Sequence, residues 1–167
     1  MPARFHANEI LDRIVSLYKT AFEPAQPTGL GLKTCTKGGV EFYLTSPTLT
    51  SDVPAIFVKP APTTEIEVVT TPLGYEMRYR HRIVYVRKFT TTERVTHEMV
   101  ADTIRIAELL IDYWELNALA LTNGQIVRSQ PVAIEWEPEE DLAVAAVNRE
   151  LVATAILFDL WVKTRRT

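Results

Sequence analysis

Leu151-Val152-Ala153-Thr154-Ala155-Ile156-Leu157-Phe158-Asp159-Leu160-Trp161-Val162 decides the fold. An apolar run of this length suits either a helix or a strand. Ala143 to Val147 just before it is helix-friendly, which keeps a helix as the competing reading. Val152, Thr154, Ile156, Phe158, Trp161 and Val162 are β-branched or aromatic, residues that fit a pleated surface, and they favour a strand over Glu150 to Lys163. Both parities of that strand are largely apolar, so it is expected to be buried on both faces.

Upstream, Tyr75 to Phe89 alternates with period two. Tyr75, Met77, Tyr79, Ile83, Tyr85 and Phe89 share one parity; Glu76, Arg78, Arg80, Arg82 and Lys88 share the other. This pattern predicts a long strand with one buried face and one wet or partner-facing face. Pro54 to Pro60 reads as a short strand bracketed by prolines, and Glu65 to Val69 as another. Val132 to Trp136 is a further strand candidate, preceded by the turn signal Asn123-Gly124.

Two helices complete the pattern. The first follows Asn8, whose side chain can cap the free amides of a first turn. Ile10, Ile14, Leu17 and Tyr18 recur at helical spacing, Leu11 and Val15 widen the stripe, and Pro24 sets the end. The second follows a capping box, Thr90-Thr91-Thr92-Glu93. Its expected apolar stripe is Val100, Ile104, Ala107, Leu110, Ile111 and Trp114. A core of Ile56, Val58, Met77, Tyr79, Ile83, Tyr85, Val152, Ile156 and Phe158, covered by Ile104, Leu110, Ile111 and Trp114, is therefore expected. Residues 23–53 carry Pro24, Pro27, Gly29, Gly31, Gly38, Gly39 and Pro47 and read as an extended loop, with Val40 to Leu44 as a short strand inside it.

These elements add up to one domain over residues 1–167: an α/β (α+β) fold, a mixed or mainly antiparallel sheet with two helices packed against it and a long loop. Its 167 residues suit that size. Hydrophobic residues at 47% and charged residues at 23% exclude a wholly disordered or fibrous chain. A net charge of −3 gives no global basic excess for nucleic acid. The segment Met1 to His6 lacks the apolar core of a signal peptide, and no window approaches 18 apolar residues, so no spanning helix is expected.

The residues of common catalytic sites do not assemble in the sequence. Gly29-Leu30-Gly31 and Lys37-Gly38-Gly39 do not form the G-x-x-x-x-G-K-[ST] pattern of a phosphate loop and read as glycine-containing turns. His97-Glu98 has no second histidine on the same helical face, and His6 and His81 are distant. Cys35, the only cysteine, has no local nucleophile signature and reads as a buried or incidental thiol. The acidic run Glu135, Glu137, Glu139, Glu140 and Asp141 lacks the glycine spacing of a calcium loop and reads as a solvated edge and turn. No enzyme activity, cofactor or metal is expected.

Arg78, Arg80 and Arg82 carry the strongest surface signal. Alternate strand residues lie about 6.5–7 Å apart, so the three guanidinium groups form a row on one face. The row reads as the wet face of an antiparallel sheet, as an interface with carboxylates of a second subunit, or thirdly as a nucleic-acid contact. Glu135, Glu137 and Glu139 are the candidate carboxylates. Tyr79 and Tyr85 point to the opposite face, so no stacking platform accompanies the arginines.

The order of elements resembles the tail terminator, or tail completion, proteins of long-tailed bacteriophages. The resemblance runs through the helix after Asn8, the strand Pro54-Ala55-Ile56-Phe57-Val58, the charged strand Tyr75 to Phe89, the helix Glu93 to Glu115 and the terminal strand Leu151 to Val162. It implies a virion protein forming a homohexameric ring on the head-proximal end of the tail tube, assembled in the host cytoplasm. Its implied partners are its own copies, the tail tube protein and the head–tail connector, with no membrane and no sequence-specific nucleic acid, although DNA passes through the ring. Two other classes remain open: a small-ligand binder of the helix-grip type, which normally ends on a long C-terminal helix, and an enzyme of unrecognised type.

Overall fold

The computed structural model describes residues 7–22, 30–38, 53–61, 68–72, 74–88, 97–112, 120–121, 124–136 and 151–165. Among the described residues two helices, α1 (Ala7–Phe22) and α2 (His97–Asp112), accompany seven strands. These are β1 (Thr34–Lys37), β2 (Ala55–Pro60), β3 (Val68–Thr71), β4 (Gly74–Lys88), β5 (Ala120–Leu121), β6 (Gly124–Trp136) and β7 (Leu151–Arg165). They form one mixed sheet in the order β1-β2-β4-β7-β6-β5, with β3 paired to β4 beyond the end of β2. Among the described strands β1 and β2 run parallel to each other, and the other pairs are antiparallel. The chain therefore has the expected α+β architecture.

The terminal apolar run is a strand, and its place explains its composition. β7 lies between β4 and β6 and pairs with β4 over the full length of both, from Gly74↔Arg165 to Lys88↔Leu151. Flanked on both edges and covered on both faces, it needs apolar side chains at both parities. A long C-terminal helix, which the helix-grip reading requires, is not what residues 151–165 form.

Each face of the sheet has its own core. On one face Ile56, Val58, Ile83, Tyr85, Val152, Ile156 and Phe158 pack beneath both helices. The α1 stripe falls as its spacing predicts: Ile10, Leu11, Ile14, Leu17 and Tyr18 are buried. The buried Tyr18 hydroxyl donates to the Ile106 carbonyl oxygen at 3.2 Å and so ties α1 to α2. On the other face Val53, Ala55, Phe57, Val84, Val86, Leu151, Ala153 and Ala155 form a second buried cluster.

Several expectations need correction. α2 is turned by about one residue from its predicted phase: Met99, Thr103, Ile106, Ala107 and Leu110 face inward, while Ile104 and Ile111 are 41% and 48% exposed. Polar Thr103 masks the true stripe. Its hydroxyl shares a 2.9 Å hydrogen bond with Thr154 of β7 and reaches the Met99 carbonyl oxygen at 2.7 Å, so its burial leaves no orphaned hydroxyl. Met77 is only half-buried. Asn8 stands inside the first turn of α1, which begins one residue earlier, and not ahead of it.

The stretch read as an extended loop contributes the edge strand β1, with Cys35 buried against α1. Residues 40–44, where the strand was expected, lie outside the described residues, as do Trp114 and the capping box at 90–93. β6 is much longer than Val132 to Trp136. Register shifts at Ile126/Arg128 and Pro131/Ala133 insert Val127 and Val132 as extra residues. Each inserted residue reverses the alternation, which hides a 13-residue strand from a period-two search.

Candidate functional site

The arginine row lies on the sheet face opposite the helices, alongside the second apolar cluster. Along β4 that face reads Glu76, Arg78, Arg80, Arg82, Val84 and Val86: charged at one end, apolar at the other. The β7 residues opposite are Trp161 for Arg78, Asp159 for Arg80 and Leu157 for Arg82. One strand further out, Arg128 opposes Trp161, Gln130 opposes Asp159 and Glu135 opposes Ala155.

This register produces an ordered set of ion pairs within the chain. Arg80 grips Asp159 with two bonds: its Nε donates to Oδ1 at 2.7 Å and its Nη2 to Oδ2 at 2.9 Å. Such a fork is the strong form of the interaction, because both donors match the carboxylate geometry. Arg78 stands 4.0 Å from the same carboxylate. Arg82, with a side chain only 4% exposed, reaches across β7 to Glu135 on β6 at 3.0 Å. Beyond Asp159, the Arg128 guanidinium lies 4.6 Å over the Trp161 ring and donates to Gln130 at 2.7 Å.

The row is thus not a wet face. Arg82 is buried, Arg78 and Arg80 are partly so, and carboxylates of the same chain pair with Arg80 and Arg82. Of the three candidate carboxylates, Glu135 joins the row from its own subunit; Glu137 and Glu139 lie outside the described residues. Sequence reasoning missed Asp159. The available signal was a lone carboxylate inside an apolar run, which needs a cationic partner when buried.

Several other titratable groups among the described residues are tied into the fold. Arg87 on β4 reaches α2 twice, at Asp102 (3.3 Å) and Glu98 (3.2 Å), and the Tyr85 hydroxyl donates to Asp102 at 2.9 Å. Burial first, then the Asp102 charge, pushes the Tyr85 hydroxyl well above its ordinary range. Cys35 is pushed up to about 12 by burial, and its thiol donates to the Val15 carbonyl oxygen at 3.7 Å, the geometry of a packed thiol rather than a nucleophile. His81, on the helix-covered face, is lowered to about 4 by burial, partly opposed by Asp159 and by the Tyr79 backbone. His97 is exposed at the start of α2. Among the described residues, no three His, Cys, Asp or Glu side chains stand together as a metal would require, and no helix is long and apolar enough to cross a membrane.

The arrangement stiffens two 15-residue strands with internally matched charge; it does not converge polar groups on a reacting centre. No family model and no curated protein matches the chain. Among solved structures, a chain in the virion of a native gene transfer agent particle shares the fold. The two agree at a TM-score of 0.57 with 11% identity, over 96% of this chain and 99% of the other.

Proposed function

We propose that this protein is a non-enzymatic structural component of a phage-like virion. In this reading it is the tail terminator, a homo-oligomeric ring of six subunits on the head-proximal end of the tail tube. The observation that carries this reading is the end-to-end fold likeness to a chain of a gene transfer agent virion, which takes in 96% of this chain and leaves almost nothing of the neighbour over. The sequence resemblance to tail terminators supplies the finer assignment and the number six.

The geometry suits the task. A terminator works by shape: it occupies the last ring of a growing tube and presents a different surface upward. Each subunit must then hold its form under contact from both sides. β4 and β7, paired over 15 residues, make a stiff slab about 50 Å long at about 3.3 Å per residue. Arg80–Asp159 and Arg82–Glu135 lock its charged half internally. The partners of such a ring are its own copies, the tube protein below and the connector above, with the genome passing through without sequence-specific contact.

Deleting the gene and imaging the particles tests this. The expected result is tubes of irregular length that fail to join heads, restored by supplying the protein, with six copies at the head-proximal end of restored tails. Tubes of normal length joined to heads in the deletion would overturn the reading.

A further inference from the structure

Positive charge without an internal counter-ion lies beside the arginine row rather than in it. At the end of that sheet face where β7 finishes, four cations, Arg78, Arg80, Arg128 and Lys163, stand with two carboxylates, Glu76 and Asp159. Asp159 is taken by Arg80, which holds both of its oxygens, with Arg78 at 4.0 Å. Arg128 and Lys163 are exposed, and neither pairs with a carboxylate among the described residues. Glu76, the register partner of Lys163, is half-buried and forms no ion pair with it. The chain as a whole carries −3, so this excess is local.

Three of these cations surround one ring. Arg78 on β4 and Arg128 on β6 are both register partners of Trp161 on β7, one from each side, and Lys163 stands two residues further along β7. With strands about 4.8 Å apart and about 6.6 Å between alternate residues, all three Cα positions lie within about 7 Å of that of Trp161. Trp161 is partly exposed, and the Arg128 guanidinium lies 4.6 Å over its ring. Gln130 holds the same guanidinium with a 2.7 Å bond. An arginine fixed in this way loses little side-chain entropy when an acceptor arrives, and its remaining N–H donors suit phosphate oxygens. The amides of Gln125 and Gln130, both exposed, flank it.

We propose that the patch around Trp161 binds the phosphate backbone of duplex DNA without reading its sequence; the choice of partner rests on the virion reading above, in which the genome passes this protein. Charge identifies a polyanion. Composition identifies its kind: a protein-binding surface has an apolar centre, whereas a DNA-binding one is polar and positively charged. Here the centre is a tryptophan that already carries a guanidinium. Because Arg128 covers one face of the ring, Trp161 is a poor platform for an unstacked base, which favours a duplex over a single strand. Both helices lie on the other side of the sheet, so no helix enters a groove from this face and the contact is to phosphates, not base edges.

Fluorescence anisotropy of a labelled duplex of about 30 base pairs, titrated with the protein between about 20 and 200 mM salt, tests this. Wild type is expected to bind at low salt with a log–log salt slope of about −2 to −3, at about 0.9 per neutralised phosphate. Arg128→Gln with Lys163→Gln is expected to weaken binding by about tenfold or more at the lowest salt and to flatten the slope by about 2. Circular dichroism establishes that it folds, and Lys163→Gln alone, with a slope change of about 1, serves if it does not. Lys19→Gln with Lys33→Gln removes the same charge from exposed positions elsewhere and is expected to leave affinity within about twofold. No binding by wild type at the lowest salt, equal losses in the two double variants, a single strand of the same length bound more tightly than the duplex, or polyglutamate competing as well as unlabelled duplex would overturn the contact. If only the virion assignment is wrong, duplex binding and its loss in the variant persist while tails form normally without the gene.

Discussion

Arg80→Met should destabilise the isolated subunit by about 2–4 kcal/mol, and adding Asp159→Leu should return most of that loss. The carboxylate of Asp159 is 3% exposed and receives two charge-assisted bonds from Arg80. Unit charges about 4 Å apart interact by about 4 kcal/mol at an effective dielectric near 20. Breaking a fully buried pair costs about 3–5 kcal/mol, mostly because the remaining charge stays buried and uncompensated. Arg80 is 24% exposed and Arg78 remains 4.0 Å from Asp159, so the lower part of that range applies. Asp159→Leu alone should cost less, about 1–2 kcal/mol, because the partly exposed Arg80 can turn towards water. Urea denaturation of the four proteins gives the cycle, with a coupling of about 1–3 kcal/mol expected. Arg80→Met within about 0.5 kcal/mol of wild type, or losses that simply add, would refute the internal role assigned to the arginine row.

Two further outcomes follow from burial. His81 is held neutral in the fold, its value lowered from 6.5 to about 4, so the unfolded chain binds the proton first on acidification. Its contribution is complete above about pH 6.5 and is lost as pH falls towards 4, with a ceiling of about 3 kcal/mol; His81→Leu should flatten the stability–pH curve in that window, and an unchanged slope would sink the assignment. Ile156→Ala, in the covered face of β7, should cost about 2–5 kcal/mol, whereas Ile104→Ala should stay within about 0.5 kcal/mol by chemical denaturation; equal losses would mean that α2 faces the other way.

The sequence by itself determined what depends on local periodicity. The α1 stripe and the two apolar parities of β7 report burial directly, and the alternation of β4 identifies a strand although both of its faces are buried from His81 to Val86, because side chains repeat every 3.6 residues on a helix and every two on a strand. Those three elements were enough for the fold class. The tertiary structure alone decided what depends on register and on distant partners. Asp159 meets Arg80 only because β4 and β7 pair at that one offset, and Glu135 reaches Arg82 only across a strand between them. The inward turn of α2 rests on Thr103, whose hydroxyl is satisfied by Thr154 some 51 positions later, so a polar residue belongs in the core where local pattern says it should not. In the polar edge strand β1 only Cys35 is buried, by the helix that packs on it, and β6 hides behind two inserted valines. A buried charge or hydroxyl costs free energy unless its partner arrives, and when that partner lies far along the chain only the folded geometry identifies it.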